Sequence, residues 1–254
     1  MEILSLPVVR DNYIHFLIDV ESGETAVVDP AVSFPVQEIL KRHGWRLTHI
    51  LNTHHHADHV GGNHELKRAT GCQVIGMHKG HEIIPDLDVL VGEGDRITLG
   101  SRQLMVMEVP GHTQGHICYW LPAESALFCG DTLFGLGCGR LLGGTAEQLW
   151  TSLARLRELP GETRVYSAHE YTQSNGRFAL TVESGNTALT ERMKRVDRRR
   201  AENLPTVPFT IQEELETNPF LRPESHEIRN WLGLAQASNQ EVFRELRSRK
   251  DAFT

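Results

Sequence analysis

The chain has 254 residues, a formal net charge of −7 and 39% hydrophobic content, enough for one large domain or a large one with a small companion. An acidic balance, with pI near 6.0 and mean hydropathy of −0.33, argues against nucleic acid as a partner, and no apolar run approaches the ~20 residues of a membrane span. Met1 to Pro7 lacks the basic start and apolar core of a signal peptide, and Cys72, Cys118, Cys129 and Cys138 show no CxxC spacing, so a cytoplasmic protein with reduced thiols is expected.

Taken in order, residues 3–9, 13–19 and 26–28 read as strands, with Ser22-Gly23 turning between the last two. A helix is expected over 35–43, with Pro35 in its first turn, and a short buried strand over 47–52. Asn63 to Thr70 reads as a helix closed by Gly71. Strands recur at 73–76, 96–99, 103–109, 117–121 and 126–129. Thr145-Ala146-Glu147-Gln148 is a capping-box pattern opening a helix to Arg157, and 164–167 is the last expected strand. Beyond Tyr171, residues 173–182, 188–202, 225–232 and 239–247 read helical, separated by Pro205, Pro208, Pro219 and Pro223. The pattern predicts an α+β fold of two packed sheets flanked by helices over 1–172, with a helical domain over 173–254.

The basic residues are unevenly spread. Arg192, Lys194, Arg195, Arg198, Arg199 and Arg200 read as a solvated helix face. Arg244, Arg247, Arg249 and Lys250 at the other end invite a functional reading.

The densest chemistry lies in Thr53-His54-His55-His56-Ala57-Asp58-His59-Val60-Gly61-Gly62, directly after the strand 47–52. Read as extended backbone, His54, His56 and Asp58 share one side and His55 takes the other, while His59 falls where the chain turns. Imidazoles and a carboxylate at a strand end suit zinc, iron or manganese. Left without a cation they would be costly to desolvate. Ligand types recur at three later strand ends, in Gly111-His112-Thr113-Gln114-Gly115-His116, Gly130-Asp131-Thr132 and Ala168-His169-Glu170-Tyr171. Two divalent cations can be served: His54, His56 and His112 for one, Asp58, His59 and His169 for the other, with Asp131 bridging. Thr113 and His116 read as supporting or turn residues. His15, His43, His49, His64, His78, His81 and His226 read as ordinary, and Cys138 as structural.

The series His54-Xaa-His56-Xaa-Asp58-His59, His112, Asp131 and His169 resembles the metallo-β-lactamase superfamily. That resemblance implies a four-layer αβ/βα sandwich and the two ligand sets just given. Asp11-Asn12-Tyr13, Gly137-Cys138-Gly139-Arg140, His169-Glu170-Tyr171-Thr172, Asn218-Pro219-Phe220 and Arg249-Lys250-Asp251-Ala252-Phe253 narrow it to the glyoxalase II (hydroxyacylglutathione hydrolase) family. The narrower resemblance implies a thioester hydrolase acting on S-lactoylglutathione, with glutathione contacts at Arg140, Tyr171, Arg247 and Lys250. It also implies a hydroxide between two metal ions, zinc foremost, as nucleophile, with Asp58 orienting it while ligating. One departure stands out: Leu142 occupies a position where some members carry an aromatic residue, so a hydroxyl contact is missing there.

Other enzymes on the same scaffold fit less well. A nuclease would want a basic groove, a persulfide dioxygenase one iron with fewer ligands, and a lactonase or β-lactamase would leave the basic helical tail unused. A metal sensor without turnover would favour a closed ligand set. A monomer with a small-molecule glutathione thioester as its partner, and neither nucleic acid nor membrane, is the expectation.

Overall fold

A computed structural model describes residues 1–77, 79 and 82–253, and the chain divides into two compact units, Met1–Glu108 with Gln114–Gly130, and Val109–Thr113 with Asp131–Thr254. His78 and His81 lie outside the described residues.

The first unit opens with three antiparallel strands, β1 (Glu2–Val8), β2 (Asn12–Asp19) and β3 (Glu24–Val28). From there the chain passes through α1 (Phe34–His43) into β4 (Arg46–Leu51), which lies parallel to β3. The next crossover holds α2 (Ala57–Val60) and α3 (Asn63–Thr70) and leads to β5 (Gln73–Gly76) and β6 (Val89–Leu90), completing a six-stranded mixed sheet. Parallel neighbours require such crossovers, and these place the histidine-rich stretch at the end of β4.

Every residue of β2 is buried, as in a sheet covered on both faces. On one face Ile14, Phe16 and Ile18 join Val36 and Leu40 of α1 and Leu66 of α3 in a single apolar cluster. On the other, His15 meets Phe128, with ring centroids 5.8 Å apart. Phe128 belongs to the unit's second set of strands, β7 (Arg96–Leu99), β8 (Arg102–Glu108), β9 (Ile117–Leu121) and β10 (Ala126–Gly130), joined antiparallel in sequence order. The wholly buried Tyr119 of β9 donates its hydroxyl to the Asn52 carbonyl at 2.7 Å, tying the two sheets together beside the histidines.

The second unit begins with the hairpin β11 (Leu133–Phe134) and β12 (Gly137–Cys138). Helix α4 (Ala146–Leu156) starts where the capping box predicts: Thr145 accepts from the Gln148 amide, and Gln148 accepts from the Thr145 amide. Strand β13 (Arg164–Ser167) and helices α5 (Thr172–Val182) and α6 (Thr187–Ala201) follow the expected pattern. Two elements depart from it. β14 (Phe209–Thr210) pairs antiparallel with β13, where no strand was expected beyond Tyr171; two residues are too few for alternation to register. Next, α7 (Ile211–Thr217) opens on a second capping box, Thr210 with Glu213, a signal legible in the sequence. α8 (His226–Leu232) and α9 (Asn239–Asp251) complete the unit.

The basic stretch on α6 is not wholly a solvated face. Arg192 is buried and bonds to Glu214, to the Thr217 hydroxyl at 2.7 Å and to the Glu213 carbonyl. Glu214 also accepts from the Leu136 amide at 3.0 Å and the Asn218 side chain at 2.7 Å. Helical spacing alone could not reveal a buried acidic partner 22 residues away. Among the described residues, no helix is long and apolar enough to cross a membrane.

Candidate metal centre

Each unit carries its own cluster of metal-donor side chains. In the first, β4 ends at Leu51 and the chain turns, so the stretch is not a continued strand: His56 caps α2, and Asp58 and His59 lie in that short helix. The anchor is Asp29, just past β3, which the sequence reading missed. Its Oδ1 accepts from the Thr53 amide at 2.8 Å, and its Oδ2 accepts from the Thr53 hydroxyl at 2.6 Å and from His59 Nδ1 at 3.0 Å. Asp29 is a polar residue at a strand end, the same signal that marked the other candidates.

These bonds assign tautomers. With its own proton given to Asp29, the Thr53 hydroxyl accepts from His54 Nδ1 at 3.0 Å, so neutral His54 carries its lone pair on Nε2. By the same logic His59 donates through Nδ1 and keeps its lone pair on Nε2. His54 Nε2 lies 2.9 Å from His56 Nδ1, and His59 Nε2 lies 3.8 Å from Asp58 Oδ2. One ligand atom each from Asp29, His54 and His59 falls within a 4.8 Å group, and the three hydrogen bonds the Asp29 carboxylate accepts orient Thr53 and His59. Asn12 holds Asp58, donating to its carbonyl at 3.1 Å and to its Oδ2 at 3.3 Å. His116 stacks on the His54 ring at 4.6 Å, and His55 is partly exposed with Nδ1 4.0 Å from Glu82.

In the second unit Asp131 lies between two histidines. His112 Nε2 is 3.4 Å from Asp131 Oδ2, and His169 Nε2 is 3.4 Å from Asp131 Oδ1. His112 donates through Nδ1 to the Arg140 carbonyl at 2.8 Å, which leaves the Nε2 lone pair of the neutral ring facing a carboxylate oxygen. Two electron-rich atoms at that separation make a poor hydrogen bond, and a cation relieves the repulsion. All three side chains are buried. Gly111 gives the turn its shape: at φ 142° with Leu149 against it, an added Cβ would lie 2.4 Å from the Leu149 Cα.

The residues expected to meet substrate lie in the same unit. Tyr171 stacks flat on His169, with centroids 4.8 Å apart and planes 2° from parallel. Lys250 is half-buried over Phe178 and Phe253, and burial first, then the charges of Arg247 and Arg140, lower its amine below the ordinary lysine range. Arg247 is buried and directs Nη1 to the Cys138 carbonyl at 3.0 Å and Nη2 to Asp251 at 2.9 Å. Burial pushes the Cys138 thiol up to about 11 although Arg247 pulls the other way, so Cys138 stays a protonated, inert thiol. Leu142 is exposed.

Imidazoles, with the tautomers of His54, His59 and His112 set by their hydrogen bonds, together with the exposed carboxylate of Asp58 and the buried one of Asp131, form a donor set that fits divalent first-row cations. Comparison with known proteins agrees. Residues 16–169 match the Metallo-beta-lactamase superfamily and residues 170–253 match the Hydroxyacylglutathione hydrolase C-terminus. The chain is 58% identical over 253 residues to a hydroxyacylglutathione hydrolase of Methylococcus capsulatus, covering 100% of this chain and 99% of that one. A hydroxyacylglutathione hydrolase of Rhodospirillum rubrum is 48% identical with the same coverage. Among solved structures, ETHE1 from Myxococcus xanthus superposes with a TM-score of 0.71 at 27% identity, over 98% of this chain and 90% of that one. The fold is therefore the α+β sandwich of the metallo-β-lactamases with a helical C-terminal region, and the chain belongs to the metallo-β-lactamase superfamily and, within it, to the hydroxyacylglutathione hydrolase family.

Proposed function

We propose that the protein hydrolyses S-(2-hydroxyacyl)glutathione thioesters, S-lactoylglutathione foremost, to glutathione and a 2-hydroxy acid such as D-lactate, the second step of methylglyoxal detoxification. The observation that carries this is the Asp131 carboxylate, one oxygen toward His112 and the other toward His169, in a chain related over its full length to enzymes of that name. His54, His56 and His112 would hold one cation, Asp58, His59 and His169 the other, with Asp131 shared; zinc is the expected ion, with iron and manganese as alternatives. When bound, such cations lower the pKa of water and polarise a carbonyl.

The chain's own residues do the rest. Asp58, fixed by Asn12, accepts a hydrogen bond from the attacking water and aims it at the acyl carbon. Asp29 and Thr53 keep the ring nitrogens of His59 and His54 in their donating tautomers. Overall, one water cleaves the C–S bond: its oxygen joins the acyl carbon, the sulfur leaves as thiolate, and the water's two protons pass to solvent, the second as the product acid ionises to carboxylate. A thiol pKa near ~8.5 lets it depart without a general acid.

Arg140, Tyr171, Arg247 and Lys250 form the glutathione side, where cations meet the peptide's carboxylates by charge-assisted bonds. Leu142 offers no hydroxyl, so the affinity is weaker or differently distributed than where an aromatic hydroxyl stands there. In this reading residues 1–172 are catalytic and 173–254 bind substrate, in a cytoplasmic monomer that engages neither nucleic acid nor membrane.

The test is hydrolysis of S-lactoylglutathione by purified protein of measured metal content. Turnover in the wild type, with a raised KM in a Lys250→Ala variant, is expected. No turnover with two metal equivalents bound would overturn the assignment, and lactones and phosphodiesters would be tried next.

A further inference from the structure

We propose that Arg247, besides its place on the glutathione side, is a positioning residue for the metal ligand His112, acting through the main chain of residues 138–140. This rests on the metal-binding part of the reading above and is independent of which thioester is cleaved.

The link can be followed atom by atom within the second unit. Arg247 Nη1 donates to the carbonyls of Cys138 at 3.0 Å and Gly139 at 3.4 Å. One residue further, the Arg140 carbonyl accepts from His112 Nδ1 at 2.8 Å. The same loop is bound to the ligand segments at two more points. The Leu142 amide donates to the His112 carbonyl at 2.9 Å, and the Gly139 amide donates to the Thr132 carbonyl at 3.2 Å. Packing leaves no slack: a Cβ on Gly139 would lie 2.1 Å from the Asp131 carbonyl oxygen and 3.2 Å from His112 Nδ1. A shift of this loop therefore shifts the acceptor that fixes the His112 tautomer.

Arg247 is itself held firmly. Its guanidinium lies over the buried Phe220 ring at 5.1 Å, and Asp251, one turn along α9, takes Nη2 at 2.9 Å. A planar, multi-donor cation suits this bridging of two carbonyls and a carboxylate, and a lysine ammonium cannot reproduce its fork. Acceptors that orient a metal-ligating histidine typically change metal affinity 10–100-fold when lost. Here the acceptor is a backbone carbonyl beyond the reach of side-chain substitution, so its position depends on the residue that braces the loop.

The experiment is metal affinity, measured by competition with a chromophoric chelator on Arg247→Ala, Arg247→Lys, Asp251→Asn and Lys250→Ala, with the visible spectrum of the cobalt-loaded forms. Arg247→Ala is expected to weaken one of two metal equivalents about 10-fold or more and to alter the cobalt spectrum. Arg247→Lys should recover it only in part, Asp251→Asn should lose a smaller factor, and Lys250→Ala should bind metal like the wild type. Wild-type metal affinity and cobalt spectrum in folded Arg247→Ala, with only KM raised, would overturn the proposal. If that variant does not fold, Arg247→Lys and Asp251→Asn decide: unchanged affinity and spectrum in both overturns it, and weakened binding in either supports it. Because chelator competition needs no substrate, a failure of the thioester assignment would leave this result standing.

Discussion

The two donor clusters solve the same problem by different means. In the first unit the donors are nearly contiguous, His54 to His59, and side chains set their tautomers: Asp29 holds His59, and Asp29 acting through Thr53 holds His54. In the second, His112, Asp131 and His169 come from three separate strand ends, and a main-chain carbonyl sets the tautomer of His112. A side-chain support can be removed by one substitution at the support itself. A carbonyl support can be disturbed only through what braces it. The first cluster should therefore be fragile at its anchor, and the second fragile at a distance.

The largest effect is expected at Asp131, whose two oxygens face His112 and His169. Asp131→Ala should lower thioester hydrolysis by about 10³-fold, on the scale of losing a group that organises transition-state charge, with metal analysis showing fewer than two equivalents. An unchanged rate would dissolve the role given to the second cluster. Next comes the anchor of the first: Asp29→Ala should weaken metal binding about 10–100-fold, read by chelator competition. Retained affinity there, with affinity lost in Arg247→Ala, would reverse the comparison.

Glu183, remote from both clusters, tests stability alone. Burial raises its carboxyl pKa, but hydrogen bonds from Arg222, Ser225 and Asn186 more than offset this, and the net position is below the usual range. A carboxyl depressed in the folded state stabilises at pH above its unfolded value, near ~4.3, and that contribution is lost as pH falls through the folded value. Glu183→Gln should therefore cost about 2 kcal/mol at neutral pH, and the gap to wild type should close in acid, as denaturant titrations at the two pH values would report.

Lys250 gives a smaller, graded effect. Its amine is lowered by burial and by its cationic neighbours, so its charge is lost as pH rises through a value below the ordinary lysine range. KM for the glutathione thioester should climb at correspondingly lower pH, and Lys250→Met should flatten that limb. The smallest change is Thr145→Ala at the α4 cap, expected to lower stability by about 1 kcal/mol with metal affinity untouched.

Much of this was legible in the chain itself. Donor identity and spacing, the strand-end placement of His112, Asp131 and His169, the caps of α4 and α7, and the α+β order of elements all follow from local residue pattern. Those features depend on neighbours a few positions away, where covalent geometry and hydrogen-bonding periodicity decide the outcome. The tertiary structure alone decided the rest. Arg192 turns inward because Glu214 waits for it, and Arg247 braces a loop 109 residues away in sequence. Asp29 chooses which nitrogen of His59 carries the proton from 30 residues upstream. Burial, tautomer and partner are set by contacts between distant segments, and a one-dimensional pattern carries no record of which buried group will face which.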